Sequence, residues 1–488
     1  MADKTPIPFA PWEPDKSELA APPVVRSVLS QGGRYVPWPS LTTYRAGAAI
    51  GDRALGAATF YQSSGTAATF IGDQTRLYRM VSGAPTDVSL PALYAADADW
   101  AWSFAQFGDN IIACAGGVAP QRYILGVSSR FADLGGSPPA ADTCARVRQW
   151  LFLGKDRTVS VSGVNDVTNW SFDVADSSLQ TTLGQEAGRI TVMTGGENGA
   201  IFQERGITRV GFVGGTVPFQ FDEVEGGRGC ASPRGVSTFG RLSYVVAEDG
   251  FYVFNGLETQ ALGAGRVDAW WTERLNYAYR HRISTAFDAR RKTWLIAYPT
   301  QGSTTCNEIL AYSVADDRWS YTEQDCHLLF EMPYEGVSID DGDAITALVG
   351  TTDLDSITAS VDSPLWSESR RQWAAIGTDR KVSLFTGSPR AAKVSTSTFE
   401  PTPGVKTFAS EVWPITDAEY SNVTATVHTR LNRLSETESA QSATMLPEGF
   451  APVLTEGRYM RVEIDIAGGA DWTEANGIHV EGQRSGSR

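Results

Sequence analysis

The sequence has few of the residues that most often carry chemistry. Its 488 residues include four histidines and five cysteines. His281, His327, His428 and His479 never fall at H-x-x-x-H or H-E-x-x-H spacing, so no zinc-ligating pattern is present and each reads as a surface or structural histidine. Cys114, Cys144, Cys230, Cys306 and Cys326 are scattered, odd in number and without a C-x-x-C pair, which excludes a disulfide framework and points to buried free thiols from a reducing compartment. No run approaches the ~18 apolar residues of a membrane span, and the opening M-A-D-K-T-P-I-P-F-A-P-W lacks the basic-then-apolar pattern of a secretory leader. The expectation is a soluble protein made in the cytoplasm, with no membrane segment. Positive charge is short as well: 41 Lys and Arg stand against 56 Asp and Glu, a net charge of −15. Such a surface repels phosphate and disfavours tight, salt-sensitive binding to nucleic acid, although DNA can pass close by without sticking.

What the sequence does contain is 48 Gly, 24 Pro, 42% hydrophobic and 10% aromatic residues, a balance suited to many short strands joined by tight turns. The organising stretch is Phe239 to Gly256. Leu242 to Ala247 form one β-favouring run, Glu248-Asp249-Gly250 supply a turn, and Phe251 to Phe254 form a second run closed by Asn255-Gly256. Both faces of the first run are apolar, Leu242, Tyr244 and Val246 on one side and Val245 and Ala247 on the other, so the hairpin must be stacked between others like it. Comparable units start near residues 66, 107, 149, 190, 239 and 287. Repeats of roughly 40 to 50 residues with three or four short strands predict the blades of a β-propeller, and the absence of 3.6-residue periodicity excludes a helical solenoid. A seventh unit is placed at Ala344 to Val361, and a helical insertion near 266–280, with Val267, Trp270, Trp271 and Leu275 near one face.

Three regions are therefore expected: an extended Pro-rich arm over 1–50, a propeller of about six to seven irregular blades over 51–365, and a C-terminal β-domain over 366–488. The arm carries Pro6, Pro8, Pro11, Pro14, Pro22, Pro23, Pro37 and Pro39, a density that opposes helix and central strand, while Trp12, Tyr35 and Trp38 predict that it lies over a surface, its own or a neighbour's. In the last region Lys381 to Phe385, Ala392 to Phe399, Thr407 to Trp413, Val423 to Leu431 and Arg458 to Ile466 alternate cleanly, with Tyr459, Arg461, Glu463 and Asp465 opposing Met460, Val462, Ile464 and Ile466; this predicts a half-exposed antiparallel sheet in a sandwich or jelly-roll. Gln483 to Arg488 read as a disordered end.

No catalytic, cofactor-binding or metal-binding residue is assigned. Asp340-Asp341-Gly342-Asp343 with Asp353 and Asp355 lacks the ordered spacing and terminal bidentate Glu of a calcium loop and reads as a solvated turn. Gly226-Gly227-Arg228-Gly229 is not followed by Lys-Ser/Thr or by a helix, so it lacks the geometry that holds phosphate. Gly184-Gln185 and Gly163-Val164-Asn165-Asp166 read as inter-strand turns. The repeated S-x-D-x-G-x-x-W turns of sialidase propellers are missing. Trp100, Trp102 and Trp170 would have to line sugar pockets in a lectin, but buried packing is the simpler reading for each.

Several stretches together resemble the tail nozzle, or packaged-DNA-stabilisation, proteins of short-tailed bacteriophages: F-A-P-W-E-P-D from Phe9, W-S-F-A-Q-F-G-D-N-I-I-A from Trp102, P-P-A-A-D leading to W-L-F-L-G, G-G-E-N-G-A-I-F-Q-E-R-G-I-T-R-V from Gly195, P-F-Q-F-D-E-V-E-G-G-R-G-C-A-S-P from Pro218, and E-D-G-F-Y-V-F-N-G from Glu248. The resemblance is most specific from Gly195 to Gly256 and weaker at G-R-Y-M-R-V-E-I and Trp472 to Arg488. It implies a non-enzymatic virion protein, assembled in the host cytoplasm, that forms a homo-hexameric ring below the portal and adaptor proteins, near tail fibres, spikes or a needle. Such a ring continues the DNA channel, retains the packaged genome and opens for ejection, with double-stranded DNA passing through its lumen without sequence-specific binding. The alternatives are a carbohydrate- or receptor-binding tail protein and, third, a propeller glycoside hydrolase.

Overall fold

The computed structural model describes residues 4–45, 47–81, 83–215, 217–334, 370–432 and 438–485. Seven antiparallel four-stranded blades form the propeller, six of them separate sheets and the sixth in order part of a nine-stranded sheet. Their first strands are Gly56–Tyr61, Ser103–Phe107, Thr143–Val147, Ile190–Thr194, Val236–Phe239, Ser284–Asp288 and Leu328–Tyr334. Each sheet starts at the axis and meanders outward, and Leu328–Tyr334 packs beside Gly56–Tyr61 to close the circle, where Thr59 Oγ1 donates to Glu331 O at 3.1 Å.

The blades stack because their middle strands are apolar on both faces. Thr293–Tyr298, the second strand of blade six, is buried at every position. Its Trp294 and Ile296 pack with Tyr244, Val246 and Phe251 of blade five, while Leu295 and Ala297 pack with Trp373 and Phe385 of blade seven. This is the two-faced alternation of a strand covered on both sides. The hairpin read from the sequence forms as Leu242–Val246 and Phe251–Phe254, and the short helix Asp268–Arg274 lies between blades five and six.

Blade seven corrects the expected boundaries. It consists of Leu328–Tyr334, Arg370–Ile376, Val382–Pro389 and, as its outer strand, Pro39–Thr43 from the N-terminal region. The propeller thus runs past residue 366 to Pro389, and the segment around Lys381 to Phe385 is a blade strand instead of part of the C-terminal domain. Its clean alternation misled because a blade strand and a sandwich strand share the period of two. The unit placed at Ala344 to Val361 lies outside the described residues.

The arm is also more than a covering. Val28–Gln31 and Arg34–Pro37 form a hairpin in one sheet of the C-terminal sandwich, beside Ala475–Arg484, Thr407–Thr416 and Ala451–Gly457. Lys4–Pro8, with its two prolines, pairs with Ala475–Arg484 alone, as proline on an edge requires. The two-residue strand Val25–Arg26 joins Arg318–Cys326 of blade six to Ala392–Ser395 of the other sandwich sheet, giving one continuous nine-stranded sheet. Val423, Ala425, Val427, Met460, Val462 and Ile464 face Val412, Val453, Ile478 and Val480 across the sandwich core. Gln483 and Arg484, expected to be disordered, extend the last strand by pairing with Phe408 and Thr407.

Candidate functional site

The inner strands of blades one, two, five, six and seven wall a cavity of about 340 Å³. Gly56, Ala57, Ala58, Val236, Ser237, Ala286 and Leu328 give it a small-residue lining, and its charged members are Arg234 and Glu331. Glu331 Oε1 accepts the Phe287 N–H at 3.0 Å. A glycosidase needs two carboxylates about 5 to 9.5 Å apart across the scissile bond, and Glu331 is the single carboxylate among the residues lining this space. The arrangement offers polar main chain, one cation and one carboxylate.

At one end of this cavity the loops entering the inner strands converge. Arg53 precedes blade one, Arg234 blade five, His281 and Arg282 blade six, and His327 blade seven. Arg234 reaches across the opening: Nη1 donates to Leu55 O at 2.9 Å and Nη2 to Arg282 O at 3.3 Å. Arg53 Nη2 donates to Ala98 O at 2.5 Å, and Arg282 Nη1 donates to Thr304 O. Burial, reinforced by Arg53 and Arg282, pushes Arg234 down to about 10. Burial and the same three guanidinium groups push His327 down to about 4. His281 is also pushed down, by burial first, against the pull of Asp99, whose Oδ1 lies 3.2 Å from Nε2.

Sequence reasoning treated the four histidines as unrelated, yet two of them feel the same three arginines. The signal was present in the position of Arg53, Arg234, Arg282 and His327, each within three residues of an inner strand, once the blades are aligned. His428 lies elsewhere, on the outer sandwich sheet, 3.4 Å from both Glu438 and Glu463. His479 sits opposite Trp413 and Pro6 in the other sheet.

The remaining sequence candidates are structural. Arg228 of the Gly-rich turn pairs with Asp249 at 2.8 Å, and a Cβ at Gly229 would lie 1.9 Å from Gln203 O, so the turn serves close packing between blades four and five. Gly163 and Asp166 form a turn bridge. Trp102 and Trp170 are buried; Trp100 lies under the Arg189 guanidinium at 3.8 Å. All five cysteines are free and buried. Among the described residues no group of three or more His, Cys, Asp or Glu side chains converges as a metal site would require, and no helix is long and apolar enough to cross a membrane. The acidic cluster from Asp340 to Asp343, with Asp353 and Asp355, lies outside the described residues.

No protein-family model matches the chain, and no curated protein matches it. Among solved structures it is similar to the computationally designed Ika8 protein (9% identity, TM-score 0.38, 74% of this chain and 95% of that one), to BBS1N in complex with ARL6DN (9%, 0.41, 72% and 97%), and to BamB from Moraxella catarrhalis (10%, 0.37, 78% and 97%). The chain is an all-β protein, a seven-bladed β-propeller joined to a β-sandwich.

Proposed function

We propose that this chain is a structural subunit of a short bacteriophage tail, a nozzle protein that forms a ring below the portal and adaptor, continues the DNA channel, retains the packaged genome and opens for ejection. The observation that carries the reading is where four of the resembling stretches lie: those from Gly195, Pro218 and Glu248 bond to one another between blades four and five, and the one from Phe9 packs on the helix and blade six beside them. From F-A-P-W-E-P-D, Trp12 packs at 4.9 Å against both Trp270 and Tyr321, Glu13 pairs with Arg266 at 2.9 Å, and Asp15 accepts the Ala269 and Trp270 N–H groups at 3.0 and 2.8 Å. From G-G-R-G-C-A-S-P, Arg228 holds Asp249, Cys230 N donates to Gln203 O at 2.8 Å, and Ser232 Oγ donates to Ile283 O at 2.7 Å. From E-D-G-F-Y-V-F-N-G, Phe251 N donates to Asp268 Oδ1 at 3.2 Å and Tyr252 OH to Gly229 O at 2.7 Å. Residues shared for their packing, and not for a reaction centre, are what a load-bearing subunit needs. The net charge of −15 supports the same reading, since a negative wall lets DNA slide.

The experiment is immunogold electron microscopy on virions from a culture encoding the chain, with antibody raised against the purified protein. Label concentrated at the tail tip of short-tailed particles is expected. Label absent from intact particles overturns the reading, and retention on a glycan array would then favour a receptor-binding protein.

A further inference from the structure

The cationic mouth of the propeller has no role in that reading and stands independently of it. Three guanidinium groups, from Arg53, Arg234 and Arg282, are brought together by loops entering blades one, five and six. Their hydrogen bonds go to main-chain carbonyls of Ala98, Leu55, Arg282 and Thr304, and among the described residues none of the three forms an ion pair with a carboxylate. Asp52 and Asp99 are the nearest acids; both are exposed, and Asp99 is turned toward His281. The Nε atoms of Arg234 and Arg282 and Nδ1 of His327 are buried and reach no acceptor among the described residues. His327, held neutral above about pH 4, adds a hydrogen-bonding group without adding charge. Three like charges in a half-buried mouth oppose one another, in a chain that is otherwise strongly acidic. The guanidinium fork matches phosphate oxygens in pairs, and a dianion placed among the three groups would turn mutual repulsion into attraction.

We propose that this mouth is a binding site for a phosphate-class oxyanion, gripped by Arg53, Arg234 and Arg282 and opening on the cavity that Arg234 lines. The anion is either free or the terminal phosphate of a nucleic acid.

The test is calorimetric titration and thermal melting of the full chain with inorganic phosphate, against chloride at equal ionic strength. Saturable binding and a phosphate-specific rise in Tm are expected. Arg53→Gln and Arg282→Gln should each weaken phosphate at least tenfold while melting at or above the wild type in phosphate-free buffer, because a repulsive charge has been removed; the exposed Arg241→Gln serves as the control and should bind as the wild type does. Displacement of phosphate by a 5′-phosphorylated oligonucleotide, but not by its dephosphorylated form, would identify a nucleic-acid end as the source, and failure of both to displace it would identify the free anion. Equal effects of phosphate and chloride, or wild-type affinity in both variants, overturn the proposal. Two arginine variants are used so that a folding failure in one leaves the other to decide.

Discussion

Replacing Gly250 with valine probes the joint at a tight point. Gly250 has φ +142°, and a Cβ there would stand 2.2 Å from Asp268 Cγ and 2.4 Å from each carboxylate oxygen. That carboxylate has little room to retreat: Oδ1 accepts the Phe251 N–H at 3.2 Å, and on its far side a Cβ at Gly263 would lie 1.9 Å from the same oxygen. Backbone strain costs about 1–3 kcal/mol, overpacking about 1–3 kcal/mol and loss of a hydrogen bond to a charged group about 1–3 kcal/mol, so a total near ~5 kcal/mol is expected. With an unfolding entropy of about 2.1 cal/mol/K per residue, a chain of this length melting as one unit loses ~1 °C per kcal/mol. Gly250→Val should therefore melt ~5 °C below the wild type in differential scanning calorimetry. Gly240 supplies the contrast: it closes another turn of the same blade at φ +62°, yet a Cβ there meets nothing within 4 Å, so Gly240→Ala should cost only the ~1–2 kcal/mol of a left-handed non-glycine residue. Asp268→Ala introduced into Gly250→Ala should cost less than the two single changes added together, because it removes the atoms the new Cβ strikes. A Gly250→Val protein melting within 1 °C of the wild type refutes the geometry.

Three further outcomes follow from the same structure. Burial, opposed by the Phe251 N–H and reinforced by Asp15 and Asp249, raises Asp268 to about 7; its folded pKa lies above the unfolded value of about 3.9, so the cost of ionising it is absent below about pH 4, grows through the interval and is complete above pH 7. Asp268→Asn should melt above the wild type at pH 8, with the gap closing toward pH 4; a gap independent of pH would remove the assigned cause. Trp12 is fully buried against Trp270 and Tyr321, so Trp12→Ala should lose ~3–5 kcal/mol in chemical denaturation, whereas a loss under 1 kcal/mol would mean that the arm does not dock as described. The five free cysteines are buried, with Cys230 and Cys306 pushed up to about 12 by burial; a thiol reagent at pH 8 should count none in the native protein and five in guanidinium chloride, and one fast native thiol would contradict the packing.

The blades were legible where their signal is local. Leu242 to Phe254 contains two apolar runs and a glycine that must turn, and the hairpin follows from them without reference to distant residues. Blade seven was not legible because its outer strand, Pro39–Thr43, pairs with Val382–Pro389 more than three hundred positions away, and no periodicity records such a partner. The prolines of the arm were read as opposing strand formation, and locally they do; Arg34–Pro37 is nevertheless an inner strand because Pro37 stands at its end and Tyr35 is buried beside the Arg318 guanidinium. The mouth was missed for the same reason as blade seven. Arg53, Arg234, Arg282 and His327 are unremarkable in their own neighbourhoods, and only the closure of the circle brings their charges to bear on one another.

The continuous nine-stranded sheet couples the two halves of the molecule through very little chain. Val25–Arg26 is two residues long, parallel to blade six on one side and antiparallel to Ala392–Ser395 on the other. Around it Ser27 N donates to Tyr321 O at 2.7 Å, Ser27 Oγ shares a hydrogen with Thr322 Oγ1 at 3.0 Å, and Val24 N donates to Ser395 Oγ at 3.1 Å. The hydrophobic cluster behind this seam is shared, running from Trp294 and Trp319 of blade six through Trp12 and Val25 to Val394 and Ile464 of the sandwich. Neither half can be cut free without opening that cluster, so the two should unfold together. The order of synthesis adds a second consequence. The arm is synthesised well before its partners at Ala392–Ser395, Thr407–Thr416 and Ala475–Arg484. Pairings this distant must close long loops before any contact repays the entropy, and the arm's Phe9 and Tyr35, which meet Asn476 and Ala475, stay without part of their native cover until then. Docking of the arm is therefore the step that completes propeller and sandwich at once: Pro39–Thr43 closes blade seven while Val28–Gln31, Arg34–Pro37 and Lys4–Pro8 enter the sandwich sheet.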